Sequence, residues 1–309
     1  MNKSKPGYIN LFEADELNKR GKLLKKRLKE CIICPHHCKI NRLENKQGFC
    51  RAGNNMVIAS YGPHYGEEDV LVGRNGSGTV FFSHCTLQCV FCQNCDISYF
   101  GEGYEVSPEE LAVIMVGLQE RGCHNINLVS PTHFIPQIVE ALSLAIPKGL
   151  IIPLVYNTSG YEDTDTLRLL EGIIDIYMPD IKFGDNINAK KYTKSSHYFD
   201  VTREAVKEMY RQVGNLQVNN QGIAYRGLLI RHLVMPDNLA STDKVLKYIA
   251  EEISCDTLVN LMSQYYPAHK SYTFSELSRG ITRYEYTQAV QHARQLGLTR
   301  LITSSGMHL

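Results

Sequence analysis

Cysteine spacing constrains this chain more than any other feature. Eight of its ten cysteines fall into two tight groups, Cys31-x2-Cys34-x3-Cys38-x11-Cys50 and Cys85-x3-Cys89-x2-Cys92, with Cys95 three residues further on. The opening residues, MNKSKPGY, hold no apolar segment of the kind that directs secretion, so a cytoplasmic protein is expected. In a reducing compartment such groups are metal or redox sites and not a disulfide framework. Cys123 and Cys255 stand alone and read as structural thiols.

The 309 residues carry 33 basic and 32 acidic side chains, a net charge of +1. That balance disfavours a general grip on nucleic acid. No apolar run approaches the roughly 18–20 residues that span a bilayer, so no membrane partner is expected. Residues 1–30 depart from the balance, with nine basic and four acidic side chains. Leu17, Leu24 and Leu28 recur there near helical spacing, which predicts a basic surface helix, either solvated or docked to an acidic partner. Three parts are expected: a basic extension over 1–30, a cysteine-rich metal-stapled element over 31–68, and a larger domain over 69–309.

From residue 79 the pattern alternates. Short, nearly continuous apolar runs predict strands at Thr79–Phe82, Asn125–Val129, Leu150–Tyr156, Ile173–Met178, Gly227–Met235 and Thr257–Met262. Ser107-Pro-Glu-Glu110 and Thr282-Arg-Tyr-Glu285 are capping boxes that open helices. Further helices are expected near 200–213 and 241–253. Asp69–Gly73 and Thr79–Phe82 around Asn75-Gly76 read as a β-hairpin. Six strand–helix units predict an α/β fold with a parallel sheet, curved into a partial (β/α)6 barrel.

Cys85, Cys89 and Cys92 directly follow the first of these strands. Three thiolates within eight residues suit one face of an iron–sulfur cube and leave its fourth iron free for a small molecule. A zinc ion would need a fourth ligand, Cys95 or His84. With Phe91 before the third cysteine, the segment resembles the motif of the radical S-adenosylmethionine (SAM) superfamily. The likeness extends through Gly76–Asn94, Asn125–His133, Tyr156–Tyr161, Asp175–Phe183, Arg231–Pro236 and Asn260–Pro267. It points to the pyruvate formate-lyase activating enzyme-like group.

The resemblance implies a [4Fe–4S] cluster on Cys85, Cys89 and Cys92, with SAM on its open iron and Phe91 beside the adenine. The family's usual Gly-Gly-Glu stretch is replaced by Val129-Ser-Pro-Thr132-His133, where Ser130 and Thr132 offer oxygens to the SAM amine. Asn157 and Ser159 match a ribose- or substrate-contacting stretch. Asp180 and Lys182 match an Asp-x-Lys pair, and Arg231 matches an arginine that approaches the SAM carboxylate. Residues at C-terminal strand ends are where (β/α) sheets hold ligands. The alternative for Lys182 and Arg231 is an internal salt bridge; Gln264, Tyr265 and Tyr266 after the sixth strand either line the pocket or simply pack. The implied activity is reductive cleavage of SAM and hydrogen abstraction from a substrate. That substrate is a glycyl-radical protein, a small molecule or a peptide. A flavodoxin or ferredoxin would donate the electron. A non-catalytic iron–sulfur or zinc sensor is the alternative of another class.

Cys31, Cys34, Cys38 and Cys50 suit structural zinc or an auxiliary iron–sulfur cluster, with His36 or His37 as further candidates. His64-Tyr-Gly-Glu67-Glu68-Asp69 reads as a solvated acidic turn or as a segment covering the barrel mouth.

Overall fold

The computed structural model describes residues 5–303 and 306–308. Helices α1 (Gly7–Glu13) and α2 (Glu16–Lys26) precede β1 (Met56–His64), α3 (Asp69–Val72), β2 (Ser77–Phe82), α4 (Cys95–Ser98) and β3 (Tyr104–Val106). The chain then alternates through α5 (Pro108–Glu120), β4 (Ile126–Val129), α6 (Ile135–Ala145), β5 (Leu154–Thr158), α7 (Thr164–Leu169) and β6 (Ile176–Pro179). It ends with α8 (Asn186–Thr193), α9 (Tyr198–Val213), β7 (Gln217–Val218), β8 (Ala224–Leu233), α10 (Thr242–Tyr248), β9 (Leu258–Met262), α11 (Arg283–Gln295), β10 (Leu301–Thr303) and β11 (Gly306–His308).

The strands form one open sheet in the order β11-β10-β9-β8-β6-β5-β4-β2-β1-β3, with β7 on β8. The expected α/β fold is borne out. β2, β4, β5, β6, β8, β9 and β10 run parallel, one strand more than expected. The additional strand is three residues long, too short for its pattern to stand out in the sequence. Both capping boxes form: Ser107 and Glu110 open α5, and Thr282 and Glu285 open α11.

Successive strand residues face opposite sides. Ile126, Leu128, Tyr156, Tyr177, Leu228, Ile230 and Val259 pack on the side that the helices cover. Val155, Ile176, Met178, Leu229 and Leu258 pack on the other side against Val70 and Leu71 of α3. That inner face carries the polar ends Asn157, Asp180, Arg231 and Asn260, as the register Val129↔Asn157↔Met178 and Arg231↔Asn260 requires.

Two expectations are corrected here. The hairpin partner of β2 is β1, joined through α3, and Asp69–Gly73 is no strand. Val70, Leu71 and Val72 are buried in succession, which a hairpin strand with alternate residues facing water cannot offer. The basic N-terminal stretch is docked on its own chain. Leu17, Leu24 and Leu28 are fully buried, Lys25 pairs with Glu140 at 2.9 Å, and Arg27 donates to Asp163 at 3.1 Å. A Cβ on Gly7 would stand 2.5 Å from the Gly172 carbonyl oxygen, so α1 approaches the body too closely for any other residue. Among the described residues no helix is long and apolar enough to cross a membrane.

Candidate active site

The loop after β2 places Cys85, Cys89 and Cys92 at the C-terminal end of the parallel strands. Backbone bonds fix the loop: Val90 N–H donates to Tyr192 O at 2.9 Å, and Lys270 N–H donates to Val90 O at 2.8 Å. Beneath it, Leu87, Phe91, Tyr161, Phe183, Tyr192, Tyr198 and Tyr265 form an apolar wall on which Cys85 and Cys89 pack. Phe91 meets Phe183 edge-on at 5.9 Å and Tyr265 at 6.2 Å. Burial pushes the Cys85 thiol up to about 11 and the Cys89 thiol further, and the Lys182 ammonium opposes both shifts. A cation thus faces two thiols and favours their thiolates. Cys92 Sγ lies 3.0 Å from Ser98 Oγ.

Lys182 Nζ donates to Asp180 Oδ2 at 2.7 Å. The other Asp180 oxygen, Oδ1, is buried without a partner, as is Ser159 Oγ on the neighbouring strand end. Tyr198, which sequence reasoning missed, ties these ends together. Its hydroxyl lies 2.8 Å from Ser159 O and 3.0 Å from Asp180 O, and it accepts from Lys182 N–H at 2.9 Å. Gly160 holds φ +77°, and a Cβ there would meet Asp180 O at 2.7 Å, so the close approach of the two ends needs glycine. Asn157 is buried on the inner face, and Ser130 takes φ +55°.

Arg231 is placed differently from an open SAM contact. It donates to Glu68 at 2.7 and 2.5 Å and also pairs with Glu67. Asn260 donates to Glu68 at 2.7 Å, and Asn127 donates to Glu67 at 3.0 Å. Burial pushes the Glu68 carboxyl up, but Arg231 and Asn260 more than reverse this and hold it below the usual range. Glu67 and Glu68 of the acidic turn are therefore internal partners of Arg231, while Asp69 beside them is exposed. Tyr265 is buried with its hydroxyl on Leu277 O at 2.8 Å, whereas Tyr266 is exposed. Gln264 offers its carbonyl to Gln93 at 3.2 Å. Cys95 opens α4, and its thiol lies 3.7 Å from Asp96.

The family model for the radical SAM superfamily matches residues 79–228, from β2 through the cysteine loop to the first half of β8. The uncharacterized protein MJ0674 of Methanocaldococcus jannaschii is 32% identical over 292 residues, covering 91% of this chain and 79% of that protein. The chain belongs to the radical SAM superfamily. A second relative from the same organism, the uncharacterized protein MJ0808, is 23% identical over 78% of this chain and 71% of its own. Among solved structures, TYW1 with a lysine–pyruvate adduct is 12% identical with a TM-score of 0.44, covering 70% of this chain and 73% of its own. AdoMet-bound anSMEcpe is 14% identical with a TM-score of 0.47, covering 69% and 57%. HydG, a maturase of the [FeFe]-hydrogenase, is 12% identical with a TM-score of 0.48, covering 94% and 56%.

As a radical SAM protein the chain is an enzyme of radical chemistry that uses a [4Fe–4S] cluster and SAM and draws on an electron donor. As the side chains lie, no group of three or more His, Cys, Asp or Glu among the described residues stands ready to hold a metal ion. The fit rests on donor chemistry: three thiols on one loop, a cation beside them, and unpartnered oxygens on Asp180 and Ser159 at the adjoining strand ends.

Thr132 faces away from open space. Its hydroxyl donates at 2.6 Å to Glu162, which also receives Thr158 Oγ1 and, at 3.2 Å, Tyr156 OH. Glu162 is 1% exposed, and burial outweighs these donors, pushing its carboxyl up to about 7. Asp175, which accepts from Leu154 N–H at 3.0 Å and Gly7 N–H at 3.2 Å, is likewise pushed up by burial to about 7. Both groups bind protons more tightly folded than unfolded. The stability they contribute is present below their unfolded values and is lost as pH rises through about 7. At about 1.4 kcal/mol per unit the loss reaches several kcal/mol at most. Melting curves between pH 5 and 8 should fall toward high pH, and Glu162→Gln and Asp175→Asn should each flatten the slope. Slopes equal to that of the unsubstituted protein would refute it.

Proposed function

We propose that Cys85, Cys89 and Cys92 hold the [4Fe–4S] cluster and that the chain is an activating-enzyme-like radical SAM oxidoreductase acting on a glycyl-radical protein. When bound, the cluster and SAM supply a 5′-deoxyadenosyl radical that abstracts hydrogen from the substrate. The protein's part is to bind and to exclude water. The observation that carries this reading is the juxtaposition of the three-thiol loop with Lys182 and the unpartnered oxygens of Asp180 and Ser159. The aromatic wall with Phe91 offers a dry face for an adenine. Asn157, Ser130 and Ser159 supply polar contacts, while Thr132 and Arg231 act from behind through Glu162 and the Glu67–Glu68 pair. A flavodoxin or ferredoxin is the proposed electron donor.

The test is anaerobic purification, iron counting, and assay of 5′-deoxyadenosine after addition of SAM and dithionite. Iron-loaded protein that yields none would sink the reading. Incubation with a candidate glycyl-radical protein, followed by electron paramagnetic resonance, tests the substrate. Lys182→Met should weaken SAM binding roughly ten- to a hundredfold, the loss expected for one charge-assisted contact. Equal dissociation constants with intact iron content would make Lys182 a structural partner of Asp180 alone.

A further inference from the structure

The N-terminal cysteines meet in one place that the radical chemistry does not use. Cys31, Cys34, Cys38 and Cys50 line a single small cavity together with Ile33, Ile40, Gly48, Arg42 and His133. Cys31, Cys34 and Cys50 are buried, at 6%, 7% and 8% exposure. One backbone N–H is aimed at a sulfur, Phe49 to Cys38 at 3.4 Å. Such a donor suits a thiolate.

Arg42 is the unusual member. It is 1% exposed, yet its guanidinium donates only to neutral oxygens: Gly53 O at 3.1 and 2.7 Å and His133 O at 2.6 Å. No ion pair among the described residues includes it. A buried guanidinium without a counter-charge is costly. Four thiolates around a divalent ion carry a net charge of −2 and would supply that counter-charge. The cavity's free space is about 10 Å³, about that of one water-sized particle, which suits a single ion.

We propose that Cys31, Cys34, Cys38 and Cys50 bind one divalent ion of the zinc class as tetrahedral thiolates, with Arg42 as its buried counter-ion. The four thiols turn inward and release their protons to solvent, and the ion's two positive charges leave the centre at −2. A closed four-thiolate centre has no open position for substrate and no redox role for zinc. It holds the element in place beside the cysteine loop, where His36 Nε2 lies 2.7 Å from Thr86 O.

The full chain is purified anaerobically, and zinc and iron are counted in it and in the Cys85/Cys89/Cys92→Ala variant. About one zinc per chain is expected in both, whether or not iron is bound, so this result is independent of the radical reading. The four thiols should resist a thiol reagent until a chelator removes the zinc. Added cobalt should give the visible bands of tetrahedral thiolate coordination. Arg42→Met should release zinc to the chelator about tenfold faster or more, in the range seen for groups that support metal ligands. Arg42→Lys, which keeps the charge but loses the fork, should be substantially slower than Arg42→Met. Iron–sulfur absorption persisting in the triple variant would overturn the proposal in favour of a cluster. A folded chain that binds no ion, or equal zinc release from Arg42→Met and Arg42→Lys, would overturn the ion or the counter-ion role respectively.

Discussion

Alanine at Cys85, Cys89 and Cys92 together should remove the iron of the main cluster and with it all 5′-deoxyadenosine formation. The three thiols share one loop, and Cys85 and Cys89 are the thiols packed on its aromatic wall among the described residues. Enzymatic acceleration of this kind is at least on the order of a million-fold, so the expected rate is the uncatalysed background. Beside the sulfur contacts of Cys85 and Cys92, the loop is held by backbone bonds from Val90 and Lys270 that the substitutions leave in place, so the fold should survive. Iron and deoxyadenosine measured on the same folded sample decide it. Full iron content in the triple variant would reject these ligands.

Arg231→Met should be the most destabilising single change at the strand ends. It leaves Glu67 and Glu68, with side chains 8% and 2% exposed, facing each other without their cation. Removing one partner of a buried pair costs about 3–5 kcal/mol, which corresponds to a fall in Tm on the order of 10 °C. Because the loss comes from stranded carboxylates, adding Glu67→Gln and Glu68→Gln should restore part of it. SAM affinity of the folded variant, measured well below its Tm, should change little. A ten- to a hundredfold loss with an unchanged Tm would instead make Arg231 a direct SAM contact.

The sequence by itself determined the features that reside within one short stretch. The capping boxes at Ser107 and Thr282 start helices wherever those stretches lie, because donor and acceptor are three residues apart. The apolar runs of the central strands read correctly because both faces of a parallel sheet are covered. Cys85, Cys89 and Cys92 carry their chemistry in their spacing. The tertiary structure decided what depends on distant partners. Helical periodicity of Leu17, Leu24 and Leu28 is the same for a solvated helix and for one packed on α6, and only docking separates them. Arg231 has an apolar strand for its local surroundings, and its carboxylates lie 163 and 164 residues away. Glu162 sits in a polar stretch that looks exposed until β4 and β5 close over it. Arg42 reads as one more surface cation until the cysteine element folds around it. Burial sets the cost and the partner of a charge, and burial is a property of the assembled layers and not of neighbouring residues.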